Sequence, residues 1–88
     1  MRPDYPEAHF NLGMTLAKIP GRELEAVAEF QTGLRRSPGN GEAHRQLGEL
    51  LVRLGRTQEA ISHFESAQRI QRSAETSSVL DRLGAGGR

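Results

Sequence analysis

The 88-residue chain contains no cysteine and no tryptophan, and its aromatics are one tyrosine and three phenylalanines. Without cysteine there is no disulfide scaffold, no thiolate metal site and no thiol nucleophile, and the redox compartment is left open. Long apolar runs are missing too, since stretches such as Leu50-Leu51-Val52 stop at three residues. No membrane span is therefore expected. The opening Met1-Arg2-Pro3-Asp4 lacks the apolar core of a signal peptide, which favours a cytoplasmic location without fixing it. A strong charge of either sign is also lacking. The formal net charge is +1, which gives no reason to expect a nucleic-acid or membrane partner. The chain is 35% hydrophobic and 26% charged, a composition suited to one small globular domain. A domain of this size buries only a modest share of its surface, so its stability margin is thin.

The informative feature is an internal repeat. Glu7-Ala8-His9 recurs as Glu42-Ala43-His44, Leu12-Gly13 as Leu47-Gly48, and Leu16 as Leu51, all thirty-five positions on. Beyond that the interval is thirty-four: Gly21-Arg22 returns as Gly55-Arg56, Glu25-Ala26 as Glu59-Ala60, and Phe30 as Phe64. One extra residue therefore lies between Leu16 and Gly21, at Ile19-Pro20. Repetition at this period signals helical units, each unable to bury its apolar face alone.

Each unit reads as two helices. Small or apolar residues at 9, 12, 13, 16 and 17, and at 26, 27, 30 and 34, follow helical rather than alternating spacing. Positions 43, 47, 50, 51 and 54, and 60, 61, 64 and 67, do the same. Turns are expected at Pro20-Gly21, at Ser37-Pro38-Gly39-Asn40-Gly41 and at Leu54-Gly55. Thr57 is the expected cap of the fourth helix. The spacing predicts helices near 6–19, 22–36, 42–54 and 57–71, a shorter one near 74–83, and no strand.

The residues Leu12, Gly13, Leu16, Gly21, Ala26, Phe30, Gly33 and Pro38 in one unit, with Leu47, Gly48, Leu51, Gly55, Ala60, Phe64 and Ala67 in the next, form a pattern. It resembles the tetratricopeptide repeat over roughly residues 3–72. The resemblance implies an all-α fold of antiparallel helix-turn-helix repeats stacked as an α-α superhelix, a short α-solenoid. The expected layout is residues 1–5 as the tail of a preceding repeat, 6–40 and 41–72 as two units, 73–83 as a closing helix and 84–88 as a tail. In the closing helix Val79, Leu80 and Leu83 are expected to cover the end of the stack, with Asp81 and Arg82 facing water. Three departures stand out: histidine at His9 and His44 where the family commonly has an aromatic, the extra residue at Pro20, and Arg72 in place of a terminating proline. Pro3-Asp4-Tyr5 resembles Pro38-Gly39-Asn40, so descent from a longer array, and an exposed first helix that seeks a partner, are expected.

Catalytic and metal chemistry find little support. His9, His44 and His63 are the only strong ligand candidates, yet zinc needs three or four ligands within about 2 Å of one ion. They are expected to pack, His9 and His44 in place of an aromatic and His63 at the surface or between layers, with no metal and no cofactor. Glu23, Glu25, Glu29, Glu42 and Glu49 share their helices with Arg or Lys, the composition of a solvated face rather than of a desolvated acid–base pair. The serines at 62, 66, 73, 77 and 78 lie in no nucleophile elbow, and there is no phosphate-binding glycine loop. Arg35, Arg36, Arg53, Arg56, Arg69 and Arg72 are offset by eleven acids and lack interleaved aromatics. The chain is thus not expected to be an enzyme.

A binding surface remains. The first helix of each unit resembles the lining of a concave groove that grips a peptide or helix of a protein partner. By position the lining would include Glu7, Phe10, Asn11, Met14 and Lys18, then Arg45, Gln46, Glu49, Val52 and Arg53. Phe10 and Met14, one turn apart, are expected to be exposed. Members that clamp a C-terminal carboxylate use Lys and Asn where Phe10 and Met14 stand, so a chaperone-adaptor role is not expected. The alternative is an assembly segment that self-associates into a homo-oligomer or supports an appended domain.

Overall fold

The periodicity produces five helices in the computed structural model, which describes residues 5–84. They are α1 (Pro6–Ala17), α2 (Glu23–Arg36), α3 (Gly41–Arg53), α4 (Thr57–Ile70) and α5 (Ala74–Arg82). Among the described residues there is no strand. The tail segments 1–4 and 85–88 of the expected layout lie outside the described residues.

Helix boundaries follow local chemistry. Pro6 opens α1, where its fixed φ suits a helix and its missing N–H costs nothing. The Asn40 side chain accepts from the Ala43 N–H at 2.9 Å, and the Ser73 hydroxyl accepts from the Thr76 N–H at 3.0 Å, capping α3 and α5. Thr57 does not cap α4. It is the first helical residue, and Arg56 before it makes no side-chain cap bond. Instead the Arg56 guanidinium holds Glu59, as Arg22 holds Glu25 at the start of α2. The first helix ends two residues earlier than the periodicity predicts, because Ile19 precedes Pro20 and the proline ring disfavours helical backbone there. Its turn passes through Gly21 at φ +90. After α3 the Gly55 N–H donates to the Val52 carbonyl at 3.0 Å and the Arg56 N–H to the Leu51 carbonyl at 2.9 Å. That double closure requires left-handed backbone at Gly55, φ +78, which glycine adopts without steric cost.

The chain divides between Gly39 and Asn40 into two compact units. In the first, α1 and α2 form a hairpin around Phe30, which is 1% exposed. Its ring lies over Gly13, where an added Cβ would sit 3.0 Å from the Phe30 Cδ2. In the second, α3 and α4 form the equivalent hairpin around Phe64, which is fully buried, and an added Cβ at Gly48 would sit 2.9 Å from that ring. Ala26 and Ala60 keep the paired helices close, and Leu47, Leu50 and Leu51 complete the interior of unit 2. Burial of each such ring stabilises its hairpin by about 1.5–3 kcal/mol.

The short helix α5 packs on α4. Gln68 bridges them: its Nε2 donates to the Ser77 hydroxyl at 2.9 Å, and its Oε1 accepts from the Ser73 N–H at 2.7 Å. Thr76 and Leu80 are its buried residues, whereas Val79 and Leu83 are half-buried and Asp81 and Arg82 exposed. The covering row is therefore Thr76–Leu80 rather than Val79–Leu80–Leu83. This row repeats α3 at an interval of thirty-three: Ser73 matches Asn40, Thr76 matches Ala43 and Leu80 matches Leu47.

A methyl group at Gly48 has no room, because its Cβ would lie 2.9 Å from two atoms of the buried Phe64 ring. Overpacking of this kind costs about 1–3 kcal/mol, against a helix-propensity gain of about 1 kcal/mol. Gly48→Ala is expected to lower the urea midpoint by more than Gly13→Ala, whose contact is looser.

Candidate functional site

The expected groove residues of unit 1 divide by exposure. Asn11 and Lys18 are exposed and Met14 is half-buried. Phe10 is not the exposed anchor that its position suggests. It is 7% exposed, and its ring fills the space above Gly33, where an added Cβ would approach Cε1 to 2.5 Å. The physical reason is the missing side chain on α2: unit 2 carries Ala67 at the position equivalent to Gly33 and Arg45 at the position equivalent to Phe10. A large residue on one helix and none on the facing helix turn the ring inward. The exposed apolar residues of the first helix and its flanks are instead Tyr5, Leu12 (46% exposed) and Ile19.

In unit 2, Arg45 occupies the centre of an ionic row along α3. Its guanidinium pairs with Glu42 one turn back and with Glu49 one turn on, the latter at 2.5 Å. The Glu42 carboxyl also accepts from the Gln46 amide at 2.8 Å. The Arg45 hydrogen bond holds the Glu42 carboxyl below its usual range, and the same bond raises Arg45, with Glu49 and Glu75 adding to the effect. Glu42 and Glu49 are more than half exposed at their side chains, so screening by water keeps these pairs worth little in stability. Their effect is to fix where the charges stand.

That row forms one wall of an open hollow of about 320 Å³ in unit 2, lined by Arg45 and Glu49 from α3, Phe64 from α4, and Glu75, Thr76 and Val79 from α5. A neighbouring hollow of about 200 Å³ shares Arg45, Glu75 and Thr76 and extends to Glu42, Gln71 and Ser73. Val52 and Arg53 are exposed but do not line either hollow. The α5 contribution escapes a search for the Leu-Gly pair, because α5 repeats α3 through Asn40/Ser73 and Leu47/Leu80 instead. The cap residue was the available signal.

The histidines occupy matched positions. His9 on α1 bonds through Nδ1 to the Glu29 carboxylate on α2 at 2.8 Å. In unit 2, His44 on α3 meets His63 on α4, which replaces Glu29 at the thirty-four-residue interval, with the two Nδ1 atoms 3.0 Å apart. Burial pushes His63 below the usual histidine value of 6.5, His44 pushes it further the same way, and Glu59 opposes both. The ring centroids are 5.2 Å apart, so the two Nδ1 atoms lie almost on the line between them and point at each other. That orientation suits a shared proton and does not converge on a third point. Among the described residues no group of three metal-ligating side chains is found.

Two hairpins, each seating one phenylalanine from the second helix on a glycine of the first, define a helical-repeat protein. The model of the tetratricopeptide repeat matches residues 21–75, more than half of the chain, and the chain belongs to that family. No curated protein matches it. Repeats of this family are in general modules of protein–protein interaction on a non-catalytic scaffold. No helix among the described residues is long and apolar enough to cross a membrane.

Phe10→Ala is expected to act on stability: removal of a buried phenylalanine costs about 3 kcal/mol. Urea denaturation should show that loss, and Met14→Ala, at a half-buried position, should show a smaller one.

Proposed function

We propose that unit 2 binds a short segment of another protein in the hollow between α3 and α5, and that the chain catalyses no reaction. The observation that carries this reading is the lining: the apolar Val79, half-buried, lies over the covered ring of Phe64, and it shares the hollow with the charged Arg45, Glu49 and Glu75. An apolar floor with a charged rim is the make-up of a peptide-binding site. Glu42, Glu49 and Glu75 surround a single arginine, which Glu42 and Glu49 already engage. The surplus is negative, so the favoured partner carries lysine or arginine beside an apolar anchor. On this reading residues 6–40 and 41–72 are two repeat units, 73–83 supplies the far wall of the site, and Asn11, Met14 and Lys18 form the corresponding row of unit 1. Val52 and Arg53 extend the row of unit 2 beyond its hollows.

A labelled decapeptide alternating lysine and leucine is the probe, with a glutamate–leucine peptide as control. Fluorescence anisotropy should show the cationic peptide binding more tightly, by about tenfold or more at low salt, and losing that advantage as salt is raised. Glu49→Lys and Glu75→Lys should each weaken it, and equal affinity for both peptides would overturn the charge assignment.

The alternative is a segment that assembles with copies of itself or supports an appended domain. The exposure of Tyr5, Leu12 and Ile19 along α1 and its flanks favours it. Sedimentation velocity decides: concentration-dependent dimer formation that Leu12→Asp abolishes supports assembly, and a monomer at high concentration rules it out.

A further inference from the structure

The position that joins the two helices of each hairpin is built from different titratable groups in the two units. Unit 1 has His9 against Glu29 and unit 2 has His44 against His63, at matched places in the repeat. We infer that the two hairpins respond to acid with opposite sign, so that mild acidification opens α3–α4 while it holds or tightens α1–α2.

The argument is one of proton counting. A neutral imidazole has one N–H and one bare nitrogen, so two facing Nδ1 atoms at 3.0 Å are satisfied when one donates and the other accepts. One added proton can be carried elsewhere on the pair while that bond persists. A second cannot, because each Nδ1 then carries a hydrogen and a positive charge, and neither can accept. The unfolded chain has no such limit, and each histidine takes up its own proton near the ordinary value of about 6.5. Below that value the unfolded chain goes on to bind a second proton where folded unit 2 holds one, and stability is lost there. The depressed basicity of the half-buried His63 acts in the same direction.

In unit 1 the sign reverses. The acceptor of the His9 bond is already a carboxylate, so a proton on His9 adds an opposite charge to an existing hydrogen bond and makes it an ion pair.

On α4, Glu59 is the carboxylate that acts on His63, but it is exposed and held by Arg56. On α3, Arg45 is occupied by Glu42 and Glu49. On α5, which packs against α4, Glu75 acts on Arg45, and Asp81 and Arg82 are exposed. In unit 1, Glu29 is the acid bonded to His9, while Glu25 is engaged by Arg22.

The consequence for the proposed peptide site rests on that reading: α3 and α4 supply part of its lining, so acid would dismantle it while unit 1 stayed folded. The test itself needs no ligand. Amide hydrogen exchange of the full chain, corrected for intrinsic rates, is measured at pH 7.5 and pH 5.0. Opening of α3–α4 should rise by tenfold or more while that of α1–α2 stays level or falls. His63→Glu gives unit 2 the chemistry of unit 1 and should abolish the rise. Glu29→His gives unit 1 the paired histidines and should create one there. His63→Gln, which keeps a hydrogen-bonding side chain without a titrating group, serves if the glutamate variant loses helicity at pH 7.5. Equal responses of both hairpins, or a rise that survives His63→Glu or His63→Gln, would overturn the inference. Loss of peptide binding alone bears on the proposed function and not on this device.

Discussion

Everything in this protein depends on a phenylalanine ring seated on a glycine. Phe30 lies over Gly13 and Phe64 over Gly48, at a distance that crowds a methyl group in the first and leaves no room for one in the second. The contact brings two helix axes close enough for Ala26 and Ala60 to be fully buried as well. A chain this small cannot spread its stability over a large core, so the hairpin stands or falls with that ring.

Around this shared contact the two units diverge at their other facing positions. Unit 1 pairs a large residue with none, Phe10 against Gly33, and His9 with an acid. Unit 2 places Arg45 and Ala67 at the first pair of positions and two histidines at the second. The same backbone thus buries an aromatic ring at this position in one unit and carries a charged row there in the other. The difference is chemical rather than architectural, because helices at a fixed separation accept any pair of side chains whose summed volume fits.

Much of the fold was legible in the sequence. The repeat interval and the helical spacing place α1 to α4, a short closing helix is expected after them, and the one-residue surplus at Ile19-Pro20 marks the longer turn. The errors were local. Thr57 has the residue type of a cap, but it is the first helical residue, and the Arg56 side chain holds Glu59 instead, an arrangement with no strong sequence signal. The helical spacing runs to Ile19, but Pro20 restricts the backbone before it, and α1 ends at Ala17. The site was less legible. Phe10 was placed outside by its position in the pattern, and only the absent side chain at Gly33, on a different helix, turns it inward. The contribution of Glu75 and Thr76 was hidden because α5 carries the repeat at thirty-three through its cap and its buried row, not through a second glycine.

The sequence by itself determined the period, the helical state, the turn glycines and the membership of the tetratricopeptide repeat family, because each depends on residues close together in the chain or recurring at a fixed interval. Tertiary structure decided which side chains meet. His9 and His44, matched in the repeat, each find a partner on the second helix of their own hairpin. Pairing across a hairpin depends on the rotation of both helices about their axes, and that rotation is set by where the phenylalanine finds its glycine.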